Sequence, residues 1–143
     1  PQQERWNLPK TMTLQDSITL TGVEVFEYLD RQATVPVITT AGMQGDVSVL
    51  RVTTPGAATP IPAKGVVVAT GQGGHDHSFH GAGMFDFKSR TFDGSLTIGT
   101  LTVPEGVDVL MSHPEHGNLL IAPGTYQVGG QREMADEIRR VAD

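Results

Sequence analysis

All five histidines of this chain fall in two short segments, Gly74-His75-Asp76-His77-Ser78-Phe79-His80 and Ser112-His113-Pro114-Glu115-His116-Gly117. Imidazole can accept a proton, donate one or ligate a metal near neutral pH, so its clustering is the chemical signal to weigh first. His75 and His77 are spaced i, i+2, so on extended backbone both rings leave one face of a strand. His113 and His116 are spaced i, i+3, which gathers two side chains over a single turn. Together His75, His77, His113 and His116, or three of them with Asp76 or Glu115, make a candidate metal site. Cysteine is absent, so any metal would be held by nitrogen and oxygen, which suits divalent zinc, iron or nickel. The other use of the same residues is hydrogen bonding to turn carbonyls, a metal-free way to pin two loops together. His80 lies outside both pairs and reads as incidental.

Catalysis at such a site would need a general base beside the metal, and Glu115 and Glu133 are the candidates. Each reads equally as an ordinary surface or ion-paired carboxylate, Glu133 with Arg132 or Arg139. Ser78 and Ser112 adjoin histidines, but neither occupies a nucleophile elbow. Gly71-Gln72-Gly73-Gly74 lacks the spacing and the following helix of a nucleotide loop; its glycines suit a tight turn presenting side chains. Asp46 after Gly45 reads as a turn residue. Tyr126 and Trp6 read as packing aromatics.

The scaffold that must position these residues is bounded by composition. A length of 143 residues with a net charge of −6 fits one domain with a core of its own. The ten basic residues are dispersed except for Arg139-Arg140, which leaves no basic stripe for a phosphate backbone and argues against nucleic acid as a partner. No apolar run approaches the ~20 residues of a membrane helix, so no membrane partner is expected. The first residues lack the basic-then-apolar order of a signal peptide, and the expected location is cytoplasmic or virion-associated.

Along the chain, residues 1–14 read as an extended N-terminal arm interrupted by Pro9, and residues 15–143 as a single β-rich domain. Residues 18–28, rich in β-branched and aromatic side chains, predict one or two half-buried strands, with a helix over residues 23–32 as the weaker alternative. Residues 34–40 predict a strand that Pro36 places at an edge or bulge. Residues 47–52 alternate apolar and polar side chains, the clearest strand of the chain. Residues 53–64, with three prolines, predict an irregular loop before an apolar strand at 65–69. Residues 83–88 and 96–103 predict an antiparallel pair turning at Phe92-Asp93-Gly94-Ser95. Strands follow at 107–111 and 125–128, the latter after a Pro123-Gly124 turn, and only residues 132–142 have helical composition. Strands at turn spacing with little helix predict an all-β fold, a small barrel or sandwich, with a short C-terminal helix or tail.

Five motifs stand in order: Gln44-Gly45-Asp46-Val47, Gly74-His75-Asp76-His77, His113-Pro114-Glu115-His116, Pro123-Gly124-Thr125-Tyr126-Gln127-Val128 and Gln131-Arg132-Glu133. The set resembles a family of small, uncharacterised bacterial and phage proteins sharing a QGD start, a GHxH turn, an HxEH turn, a PxGxYxV strand and a closing QRE. The match covers residues 44–143 and departs from the family at Pro114 and Met134, leaving the histidines intact. The resemblance implies no activity; residues 1–43 lie outside it. A histidine pair on a β scaffold also resembles cupins, but the cupin glutamate and glycine spacing are missing. Glycine-rich β-domains with an arm suit a non-enzymatic, self-assembling or partner-binding subunit, and the likeness to phage proteins favours that reading. Its partner would be a second copy or another protein subunit, and its histidine turns a structural or metal-stabilised clasp. The competing reading is a metal-dependent, hydrolase-like enzyme.

Overall fold

The computed structural model describes residues 11–88 and 97–130. The turn expected at residues 92–95, the helical composition at 132–142, Glu133 and the first ten residues of the expected arm lie outside them. Among the described residues, ten strands form two five-stranded sheets packed face to face, so the all-β expectation resolves as a sandwich. One sheet runs β1 (Val37–Ile38), β9 (Leu119–Ile121), β8 (Val109–Ser112), β5 (Asp76–His80), β4 (Val66–Thr70). The other runs β2 (Ala41–Gln44), β3 (Val47–Arg51), β10 (Gly124–Gly129), β7 (Thr97–Val103), β6 (Met84–Phe87). Neighbours are antiparallel except β1 and β9, where Val37 pairs with Leu120 and Ile38 with Ile121 in parallel.

Period-2 alternation builds the core between the sheets. Val47, Val49, Leu101, Tyr126 and Val128 from one sheet meet Phe79, Val109, Met111 and Ile121 from the other, all essentially solvent-free. Tyr126 is the largest of these. Its hydroxyl donates to the Ala122 carbonyl at 2.7 Å and accepts from Arg51 at 3.2 Å, which satisfies the polar end of a buried ring. Arg51 also donates to the carbonyls of Thr39 and Pro123, tying three chain segments at one corner.

The reverse face of the first sheet is apolar too, with Leu110 and Leu120 buried against Met12, Leu14, Ile18, Val25 and Val35. This corrects the reading of residues 18–28 as strand: an α-helix, α1, occupies Leu14–Thr21, and no strand covers residues 22–28. The β-branched residues of Ser17-Ile18-Thr19-Leu20-Thr21 mislead a propensity argument, whereas the local end signals are those of a helix. Thr13 accepts from the Asp16 backbone while Asp16 accepts from the Thr13 backbone, a capping box, and Gly22 closes the helix at φ +72°. Met12 and Leu14, read from sequence as arm, are buried parts of this layer. Thr13→Ala removes one half of the box and is expected to cost about 1 kcal/mol, read as a drop of roughly 3 °C in thermal midpoint.

Two further differences follow from tertiary context. Residues 41–44, given no element in sequence, form edge strand β2 because they pair with β3 from Ala41↔Leu50 to Gln44↔Val47. Residues 76–80, read as a histidine turn, form strand β5 between β4 and β8.

Candidate functional site

Three connections meet at one end of the sandwich: the Gly45-Asp46 turn between β2 and β3, the start of β5, and the turn between β8 and β9. They bring His75, His77, His113 and His116 into ring contact, so the two histidine segments are neighbours in space. Ring centroids lie 4.2 Å apart for His77 and His113, 4.6 Å for His113 and His116, 6.1 Å for His75 and His113, and 6.4 Å for His77 and His116. His77 shares strand parity with Phe79, so it enters the intersheet space and is 1% exposed. Asp76 faces the other way and accepts from the Thr70 hydroxyl at 2.8 Å. His75 packs edge-on against Phe26, with centroids 5.0 Å apart.

The hydrogen bonds fix the protonation of two rings. The Gln44 amide nitrogen donates to the carbonyls of Met111 at 3.1 Å and Gly117 at 2.7 Å, so its two hydrogens are used and its oxygen faces His77. That oxygen lies 2.9 Å from His77 Nδ1. An amide oxygen only accepts, so Nδ1 carries the proton and Nε2 is left as a bare lone pair. Nε2 is 3.8 Å from Asp46 Oδ1, on a residue that is 82% exposed. Burial, then the neighbouring His113, pulls the His77 pKa down from 6.5 to about 4, and the ring is neutral at pH 7.

His113 has the opposite tautomer. Its Nδ1 accepts from the backbone N–H of Glu115 and of His116, both at 3.1 Å, so the neutral ring carries its proton on Nε2. Burial lowers its pKa as well, helped by His116 and His75. The metal-free alternative named carbonyls as the partners of these rings; for His113 they are turn N–H groups, and the side chain caps its own turn as an asparagine would. Phe26 and Tyr28, outside the motif set, bond to this turn. Phe26 N–H donates to the Pro114 carbonyl at 2.8 Å and the Tyr28 hydroxyl to the Glu115 carbonyl at 3.2 Å.

His80 stands apart from the four. It points to the opposite face of β5, is 4% exposed, and bonds through Nε2 to Ser112 Oγ at 2.9 Å. Burial lowers its pKa. This buried serine and histidine join β5 to β8. Glu115 contributes backbone groups to the turn.

Gln44 is the functional residue that sequence reasoning did not single out, since it entered only as the first letter of a motif. The signal was the order of the motifs: the first three of the five converge here, which a shared site explains and separate turns do not. Among the described residues, no group of three or more His, Cys, Asp or Glu side chains is placed so that it could hold a metal ion without side-chain rearrangement. A family described as a domain of unknown function (DUF8820) matches residues 43–131. No curated protein and no solved structure matches the chain.

Proposed function

The chain belongs to the DUF8820 family, and we propose that it is a non-enzymatic structural subunit, assembling with copies of itself or with a partner, in which the histidine turns form a clasp between the two sheets. One observation carries this reading. The Gln44 side chain, on an edge strand of one sheet, holds two carbonyls and a histidine of the other sheet. These three bonds join one part of the protein to another and need no ligand. A clasp at one end leaves the long sides of the sandwich for partners. On one side the edge strands β4 and β6 flank an apolar recess of about 520 Å³ lined by Ile61, Val66, Phe85 and Phe87. Phe87 is 57% exposed on its rim, and exposed aromatic surface beside a sheet edge supports a docking role.

Sedimentation of the full chain and of Phe87→Glu tests the proposal. The expected result is an oligomer for the natural chain and a smaller species for the variant. A monomer carrying stoichiometric metal would contradict it and favour the second reading, a metal-dependent hydrolase. That reading draws on the bare Nε2 of His77 beside Asp46, with Glu115 as its base.

A further inference from the structure

The geometry points to a divalent transition-metal site formed by His77 Nε2, His116 Nε2 and the Asp46 carboxylate, with Gln44 as the orienting partner of His77 and with His113 outside the ligand set. It deepens the clasp reading, on which it rests, by naming a ligand that would tie the β2–β3 turn to the β8–β9 turn.

His77 is prepared as a ligand. Metal-bound histidines generally donate their second ring N–H to a fixed oxygen, which sets the tautomer and aims the other nitrogen at the ion. Gln44 Oε1 does this to Nδ1 at 2.9 Å, and the amide cannot turn over without losing two donor bonds. The aimed Nε2 already has a carboxylate oxygen at 3.8 Å.

His116 comes to the same place. A Cβ on Gly45 would lie 2.7 Å from His116 Nε2 and 3.5 Å from His77 Cε1, so both rings crowd one backbone point in the turn that also carries Asp46. Gly45 adopts φ +59° there, and its missing side chain is the space the rings use. Two histidines on one tetrahedral ion hold their ring centroids roughly 5 Å apart, given metal to nitrogen bonds of about 2 Å. His77 and His116, at 6.4 Å, reach that by side-chain rotation of His116, which is exposed. Asp46 is exposed as well and closes the remaining gap the same way.

His113 does not fit. Its Nδ1 accepts two backbone N–H groups, so a metal on Nε2 would require the imidazolate anion. Its ring also packs, tilted by 36° and 32°, against both neighbours with centroids 4.2 and 4.6 Å away, closer than two ligands of one ion stand.

The test is calorimetric titration of the full chain, stripped with chelator, with Zn²⁺ at pH 7.5. One equivalent is expected to bind with micromolar affinity or better. Asp46→Asn and His116→Gln alter exposed residues, so their folding is checked simply by circular dichroism, and each is expected to weaken binding at least about ten-fold. His113→Asn, whose amide oxygen can accept the same two N–H groups, is expected to keep it. Binding lost in His113→Asn but retained in His116→Gln would overturn the ligand set, and affinity no better than millimolar would overturn the site. Either failure leaves the clasp untouched, because the Gln44 bonds are made without metal and are judged by stability and by solution mass.

Discussion

Gln44→Leu is expected to be among the most damaging single substitutions in this protein, lowering unfolding free energy by roughly 3–5 kcal/mol. The side chain is 2% exposed and makes three bonds across the intersheet space, to the carbonyls of Met111 and Gly117 and to His77 Nδ1. Leucine fills a similar volume but removes both donor bonds to these carbonyls and the acceptor of His77 Nδ1–H, and each buried polar group that loses its partner costs about 1–3 kcal/mol. Gln44→Glu separates bonding from shape. The carboxylate still accepts from His77, but it meets two carbonyl oxygens it cannot satisfy, and its charge favours protonated His77. Urea unfolding should therefore show a loss for both variants, with the Glu variant recovering part of its stability below pH 6. A loss under 1 kcal/mol for Gln44→Leu would mean that the clasp contributes little.

Acid is expected to open the same end of the molecule. The folded-state pKa of His77 is about 4, against 6.5 for the unfolded chain. Between those values the unfolded state binds the extra proton. Stability is therefore fully present above pH 6.5 and is lost as pH falls toward 4, by on the order of 3 kcal/mol from this residue. His113 and His80 are shifted in the same direction by burial and add to the slope. For His113 the reason is visible in the bonds, since a proton on Nδ1 displaces the two N–H groups that it caps. Asp46 opposes part of the His77 shift but is exposed and screened. Unfolding measured with chelator present at half-unit steps from pH 7.5 to 5 reads this before the carboxylates titrate. Constant stability across that range would contradict the burial of neutral imidazole.

The fold was legible where one local pattern decides the outcome. The alternation of residues 47–52 and 96–103 marks strands β3 and β7, since a strand with one face in the core must alternate. The edge position expected from Pro36 matches the two-residue strand that follows it. Helix α1 was missed because four β-branched residues at positions 18, 19, 21 and 23 outweighed the capping box at Thr13 and Asp16 and the Gly22 stop. Tertiary packing of Leu14 and Ile18 decides such short helices. Strand β2 could not be read from Ala41-Gly42-Met43-Gln44, because its pairing is supplied entirely by β3.

The site was half legible. Spacing placed His75 and His77 on one face and His113 and His116 on one turn, and the structure brings the four together. Their separate duties were not legible, because tautomers follow from partners. His77 is defined by an amide 33 residues away in sequence, and His113 by the backbone of its own turn. Nothing in the composition distinguishes the two rings.

That distinction is what the account stands on, and nitrogen-15 spectroscopy of the histidine rings reads it directly. Long-range proton–nitrogen correlation of the metal-free protein at pH 7 should show His77 as the Nδ1–H tautomer and His113 as the Nε2–H tautomer, with His77 still neutral at pH 6. Two rings in fast tautomeric exchange, titrating together near pH 6.5 as free imidazoles do, would contradict the clasp.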